Sequence, residues 1–274
     1  MTARHVALTI AGSDSGGGAG IQADLKTFHA FGVFGTSAIT AITAQNTVGV
    51  RSIQKIEPDV VADQIRAVAD DLKPAAAKTG MLADAPIIEA VASAIRETGL
   101  AHLVVDPVMV AKSGDRLLEE DAVNALAMQL LPLSEVLTPN LPEAAILAGR
   151  RVETVDDMRA AAEILADRGA QSVLVKGGHL SGDVLIDLFF DGADWHEWQE
   201  RRHDTRHTHG TGCTLSAAIC AGLALGWPRV EAVEKARLYT QRAIETAPEL
   251  GEGHGPLNHW AGVGSSGFGD SGNR

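Results

Sequence analysis

The chain has 274 residues, of which 45% are hydrophobic, and a formal net charge of −12. Such a length can bury a substantial core and suits a single α/β domain, while the acidic balance excludes the electrostatic footprint of a nucleic-acid or anionic-membrane binder. A protein of this charge that handles phosphates must gather its cations locally or use backbone amides. The first residues lack a leader pattern, and the most apolar run, residues 215–225, is too short to cross a bilayer, which points to the cytoplasm. Cys213 and Cys220, the only cysteines, would lie about 10 Å apart along one helix, too far to form a disulfide.

Residues 5–11 (HVALTIA) read as a buried first strand that runs into the glycine loop Gly12-Ser13-Asp14-Ser15-Gly16-Gly17-Gly18-Ala19-Gly20 and then a helix over 21–31. Strand, glycine loop and helix is the layout by which α/β proteins bring backbone to a ligand. The phosphate-loop pattern G-x-x-x-x-G-K-[ST] is absent. Residues 18–23 satisfy the dinucleotide pattern G-x-G-x-x-A, but the acidic residue expected about 20 positions later is missing, since no Asp or Glu falls between Asp24 and Glu57.

Residues 36–43 (TSAITAIT) suit a central strand that delivers Gln45 to its end, either as an amide reading a polar heteroaromatic edge or as a solvated loop residue. The spacing predicts an amphipathic helix over 58–72 with Val60, Val61, Ile65, Val68 and Leu72 on one face, a strand over 75–79 ending at Gly80-Met81, and a helix over 86–98. A strand over 103–105 then carries Asp106 to the same edge, as a metal ligand, a base or a cap of the next turn. Repeated strand–helix units imply a mostly parallel sheet, with ligands gathered beyond its carboxyl ends.

A helix over 119–130 precedes Val136-Leu137-Thr138 and the segment Pro139-Asn140-Leu141-Pro142-Glu143. The N-x-x-E spacing suits a phosphate and its magnesium, and equally a capping box; the two roles are compatible. After a helix over 154–168, the strand over 172–176 ends at Lys176-Gly177-Gly178, a cation placed for a nucleotide phosphate or a solvated surface lysine. Residues 184–190 and 195–200 form an antiparallel hairpin. His203, His207 and His209 match no standard zinc spacing.

Residues 207–226 (HTHGTGCTLSAAICAGLALG) join a Gly/Thr turn to a long apolar run. Gly210 and Gly212 allow the chain to bend, and Thr211 can cap, so several unpaired N–H groups should converge on an anion. In the first turn Cys213 would feel the positive helix end, which lowers a thiol pKa, although a plain core cysteine fits the pattern too. Cys220 reads as core. A helix over 229–245 follows, and residues 262–274, with five glycines and three serines, read as a flexible tail beyond a single domain over 1–261.

The segments AGSDSGGGAGIQADLK, AITAQNT, KTGML, DPVMVAKSG, TPNLPEA, VKGGH, HGTGCTLSAAICAG and GEGHGPLNHW follow one another over about residues 5–260. Together they resemble the hydroxymethylpyrimidine/phosphomethylpyrimidine kinases of thiamine biosynthesis. The resemblance implies a ribokinase-like three-layer sandwich, with a mostly parallel central sheet, helices on both faces and an antiparallel hairpin. It implies ATP-dependent phosphorylation of 4-amino-5-hydroxymethyl-2-methylpyrimidine and then of its monophosphate, with Mg2+ and in some members a monovalent cation. Gln45 then corresponds to the pyrimidine-reading amide, with Gly12, Ala19, Asp24, Met81 and Val108 around the substrate. Cys213 stands where the wider superfamily usually has an aspartate base, and the Gly210, Thr211 and Gly212 backbone would hold the transferring phosphoryl group. Asp106, Asn140 and Glu143 match the magnesium and phosphate region, Lys176 the nucleotide side, and Lys112 is a further phosphate candidate. A homodimer is expected by the same resemblance. Competing readings are a pyridoxal kinase, a non-catalytic pyrimidine-binding sensor and, more distantly, a dinucleotide oxidoreductase.

Overall fold

The computed structural model describes residues 5–109, 120–178 and 184–263. Among them, β1 (Val6–Asp14), β2 (Phe34–Gln45), β3 (Val50–Lys55), β4 (Ala76–Thr79), β5 (Leu103–Val105), β6 (Val136–Leu137), β7 (Val173–Val175), β8 (Val184–Phe190) and β9 (Trp195–Arg201) form one sheet in the order β3-β2-β1-β4-β5-β6-β7-β8-β9. Strands β2 through β7 are mutually parallel in that order, while β3 and the β8–β9 hairpin run antiparallel at the two edges. The hairpin follows the sequence pattern. Strand β3 does not, because every one of its residues is exposed and only backbone pairing with β2 defines it.

Alternation of side chains along each strand divides the core into two layers. Ala7, Ala76, Val104, Val136 and Leu174 pack with α1 (Gly20–Ala30), α7 (Thr211–Ala224) and α8 (Arg229–Glu245) on one face. Leu8, Ala77, Leu103, Val105, Leu137, Val173 and Val175 pack with α2 (Pro58–Leu72), α3 (Ala85–Thr98), α4 (Glu120–Ala125), α5 (Leu141–Ala148) and α6 (Val155–Asp167) on the other. Strands covered on both faces have no polar side, which explains the near-continuous apolar runs.

The crossovers locate the site. From β1 the chain passes to β2 on one side and returns through α2 to β4 on the other, so the order reverses at β1 and leaves a crevice beyond its carboxyl end. The glycine loop begins there, and the Gly12 amide donates to the Met81 carbonyl (3.1 Å) across the gap.

Two helix expectations and the extent of the first strand change. On α2, Val60 and Leu72 are exposed while Val61, Ala62 and Ile65 are buried, because successive residues project about 100° apart and two adjacent valines cannot both face the sheet. The helix expected over 119–130 is α4 followed by a wider π turn over Leu126–Leu130 and a 3-10 turn over Leu131–Leu133. Strand β1 continues through Gly12 to Asp14, with a register shift between Ala11 and Ser13 where it follows β2. The tail expected over 262–274 falls almost wholly outside the described residues.

Candidate active site

The amino end of α7 lies at the crevice, and glycine determines its shape. Gly210, not Thr211, occupies the N-cap, with φ of 83°, and a Cβ there would overlap the Gly18 carbonyl oxygen. The turn before α7 therefore interlocks with the glycine loop after β1. Thr211 sits one position too late to cap its own helix, and its hydroxyl donates back to the Thr208 carbonyl (2.8 Å). Gly212 and Cys213 follow in the first turn, where a helix has no carbonyl to offer their amides. A Cβ on Gly212 would stand 3.4 Å from Asp106 Oδ2 and 3.5 Å from Lys176 Nζ, so this turn faces a carboxylate and a cation at close range.

Asp106 leaves the end of β5 almost fully buried. Its Oδ1 lies 3.2 Å from Lys176 Nζ, which leaves the end of β7, and its Oδ2 accepts from Ser216 Oγ on α7 (3.3 Å). The Thr138 hydroxyl closes the far side at 3.4 Å from Oδ1. Asn140 and Glu143 form the capping box of α5: the Glu143 amide donates to Asn140 Oδ1 (2.9 Å), and the Asn140 amide to Glu143 Oε2 (2.8 Å). Glu143 is nonetheless part of the cluster. Burial pushes its carboxyl up to about 7, Lys176 opposes that rise and Asp106 adds to it. The Lys176 ammonium, despite burial, is held above its ordinary value by Asp106 and Glu143. Two buried carboxylates beside one lysine are hard oxygen donors of the number that suits a magnesium completed by substrate phosphates. Among the described residues no group of three or more His, Cys, Asp or Glu gathers as a resident metal cage.

Cys213 corrects an expectation. Burial pushes its thiol up to about 11, Lys78 pulls the other way, and Asp24 and Asp106 add to the rise. The helix end does lie beside the sulfur, and the Gly20 amide at the start of α1 donates to it, but withdrawal from water and two carboxylates outweigh these dipoles. At neutral pH the resting group is a thiol.

Asp24 was expected against the substrate, but it is fully enclosed beneath the crevice. Both its oxygens lie 2.9 Å from Lys78 Nζ, and Oδ2 also accepts from Thr9 Oγ1 (2.6 Å). Lys78 is equally buried and carries its charge into the same space as Cys213 and Asp106. Residue-type reasoning passed over this lysine, although a charged residue within the apolar stretch Ala75-Ala76-Ala77 signals a buried pair or a functional cation. Lys78→Met is expected to leave Asp24 uncompensated and to cost about 3–5 kcal/mol in urea unfolding. The double change Lys78→Met with Asp24→Leu should recover most of that loss; a single variant as stable as the parent would contradict the pairing.

Gln45 lies at the opposite wall, at the end of β2, with its main chain tied to Ser15 by hydrogen bonds of 2.6 and 2.8 Å. Its side-chain amide spans Thr43 Oγ1 (3.2 Å) and His209 Nε2 (3.3 Å). Asp14, at the end of β1, accepts from the Gly16, Gly18 and Ala19 amides and approaches His209 Nε2 at 2.9 Å. Gly12 and Met81 meet so closely that a Cβ on Gly12 would press on the Met81 thioether methyl. Val108 follows Asp106 in a tight turn, its amide 2.9 Å from the Asp106 carbonyl. Lys112 lies outside the described residues. The three histidines part company: His209 joins Asp14, His203 lies 3.2 Å from Glu245, and His207 is buried.

This arrangement puts a helix amino end, a lysine and two carboxylates on one side of a crevice and a positioned amide on the other. Comparison with known proteins decides what family it represents. Residues 14–258 match the model of the family described as phosphomethylpyrimidine kinase. The chain belongs to that family. It is 54% identical to a hydroxymethylpyrimidine/phosphomethylpyrimidine kinase of Rhizobium meliloti, over 95% of this chain and 98% of the relative. A Bacillus subtilis protein of the same name is 50% identical, over 94% and 95% of the two chains. Among solved structures, the ADP complex of Bacillus subtilis pyridoxal kinase superposes with a TM-score of 0.88 at 42% identity, covering 94% of this chain and 98% of that one. A phosphomethylpyrimidine kinase of Clostridium difficile gives 0.80 at 43% identity, covering 88% and 100%. The ribokinase-like fold and the kinase class expected from the ordered motifs are both borne out, and the dinucleotide oxidoreductase reading falls away.

Proposed function

We propose that this chain transfers the γ-phosphoryl group of ATP to the 5-hydroxymethyl group of 4-amino-5-hydroxymethyl-2-methylpyrimidine and then to the resulting monophosphate. Family membership along nearly the whole chain supports the substrate class. The observation that carries the chemistry is the approach of Asp106 and Lys176 to Gly212 at the first turn of α7. Phosphoryl transfer depends on in-line placement and on neutralising charge. The Gly212 and Cys213 amides hold the transferring group, with Gly210 and Thr211 shaping the turn that aims them. Lys176 meets the nucleotide phosphates. Asp106 and Glu143 would hold a magnesium ion together with the phosphates, and the ion would supply charge neutralisation there. Cys213 accepts the hydroxyl proton as the new bond forms, and Gln45 reads the aminopyrimidine edge against the wall made by Gly12, Ala19, Met81 and Val108.

The enzyme on this reading is cytoplasmic, works as one kinase unit over residues 1–261, and forms a homodimer. Support for the first is the free state of both cysteines, one of which must stay reduced to act. No helix among the described residues is long and apolar enough to cross a membrane. Support for the last is the exposure of Ile42, Val50 and Ile53 on the β2–β3 edge and of Val48 in the turn that joins these strands.

Incubation with the pyrimidine alcohol and Mg-ATP, with monophosphate and diphosphate resolved by chromatography, is expected to show both products in sequence. Binding of the pyrimidine alcohol with neither ATP consumption nor product would leave the non-catalytic sensor reading, which ATP consumption with the pyrimidine excludes. A pyridoxal assay belongs beside it, because pyridoxal kinases superpose on this chain along 94% of its length. A large preference for pyridoxal would overturn the substrate assignment.

A further inference from the structure

The contacts of His209 constrain the orientation of the Gln45 amide. His209 Nε2 lies 2.9 Å from Asp14 Oδ2 and 3.3 Å from one end of the Gln45 amide. A ring nitrogen carries either one hydrogen or one lone pair, so it cannot accept from Gln45 and donate to Asp14 together. Asp14 resolves the choice. Although burial disfavours its charge, hydrogen bonds from His209 and from the Gly16 and Ala19 amides hold its carboxyl below the ordinary value. An ionised acceptor at 2.9 Å requires a donor, so Nε2 bears the hydrogen and has nothing left with which to accept.

The single Nε2 hydrogen points mainly at Asp14 and is shared at longer range with Gln45, so the amide oxygen, and not its N–H, suits the side that faces His209. The structure sets the amide nitrogen towards His209 and the oxygen towards Thr43 Oγ1; exchanging the two, which leaves the shape of the group unchanged, presents N–H to Thr43 Oγ1, 3.2 Å away. That hydroxyl donates its single hydrogen to the Ser13 carbonyl (2.9 Å), which leaves its lone pairs free to accept. Oxygen and nitrogen of a side-chain amide are told apart by their partners; here His209 discriminates, and Thr43, whose hydrogen takes the shorter contact to the Ser13 carbonyl, is compatible. One N–H and one lone pair of Gln45 remain for a ligand, in a fixed order.

We propose that His209, anchored by Asp14, is a positioning residue for substrate selection: it sets which end of the Gln45 amide meets the amino group of the pyrimidine and which meets the ring nitrogen. The inference rests on the reading that Gln45 faces the pyrimidine. Without His209 the two amide orientations become nearly equivalent, and only one of them matches the donor–acceptor order of an aminopyrimidine.

A double-mutant cycle on the full-length chain tests this, with steady-state kinetics for the pyrimidine alcohol at saturating Mg-ATP. His209→Ala is expected to raise KM about tenfold, the size of one net hydrogen bond, with kcat changed less than about threefold. Gln45→Ala should raise KM at least as much, and the double variant should be no worse than Gln45→Ala alone. Multiplying effects in the double variant would overturn the proposal, since His209 would then act independently of Gln45. A fall in kcat at constant KM would overturn it too, assigning His209 to the shape of the α7 turn, where its ring already packs on Gly18. Gln45→Ala with unchanged KM would instead sink the reading beneath it. Should His209→Ala lose its cooperative melting transition, His209→Phe, which keeps a planar ring and removes the N–H, passes through the same cycle with the same criteria.

Discussion

Cys213→Ala is expected to lower kcat for the pyrimidine alcohol by about 10²-fold, the usual size of a general-base effect, with little change in KM for ATP. The thiol stands between the starts of α1 and α7, beside the buried Lys78 ammonium, and burial nevertheless holds its proton on up to about pH 11. A base so weakly ionised at rest remains useful where the transition state is loose, because the attacking hydroxyl gives up its proton late. The pH signature follows from the sign of the shift. The thiolate fraction grows about tenfold per pH unit below that pKa, so wild-type kcat should climb from about pH 7 to about pH 10. Lys176 stays charged as it climbs, since its own pKa is raised. Stopped-time product assays across this range check both points. Wild-type-like turnover by Cys213→Ala, or an equal climb in the variant, would remove the thiol from proton transfer.

Lys176→Met is expected to lower kcat by about 10²–10³-fold, as for removal of one preorganised donor to developing charge, and to raise KM for ATP. The same change should alter stability in a pH-dependent way. Glu143 already titrates near 7 rather than 4.5, and Lys176 is the group restraining that rise. An acid whose folded pKa is raised stabilises the fold below its unfolded pKa, and the contribution disappears as pH climbs through the folded value. The variant should thus lose more Tm relative to wild type above about pH 8 than at about pH 5.5. An equal Tm loss at both pH values would show that Glu143 and Lys176 do not share a field.

Much of this site was legible in the order of residues. Gly12, Gln45, Met81, Asp106 and Lys176 each follow an apolar strand segment, so a parallel sheet had to gather them at one edge. What the sequence hid are relations between distant residues. His209 and Asp14 are 195 positions apart, and the histidine stands in a cluster whose spacing matches no metal site and points to no other partner. The resemblance alone puts Asp24 around the substrate, and nothing local reveals that Lys78, 54 positions on, is buried against it. The Cys213 pKa was misjudged for a related reason: a helix dipole can be read from sequence, whereas the desolvation that outweighs it depends on which elements enclose the sulfur. Strand β3 was missed because an exposed strand lacks the burial period that marks the others.

Helix α7 has one more consequence. From Thr214 to Ala224 every residue is buried, so it cannot tilt or fray without opening the core on that face of the sheet. Local opening free energies should therefore differ sharply across the crevice. In native-state hydrogen exchange, amides of this helix should open only with global unfolding, while those of the exposed β3 edge exchange by local fluctuation. The end that handles phosphate would then behave as an anvil, and whatever adjustment the enzyme makes between its two phosphorylation steps must come from the side that holds the ring.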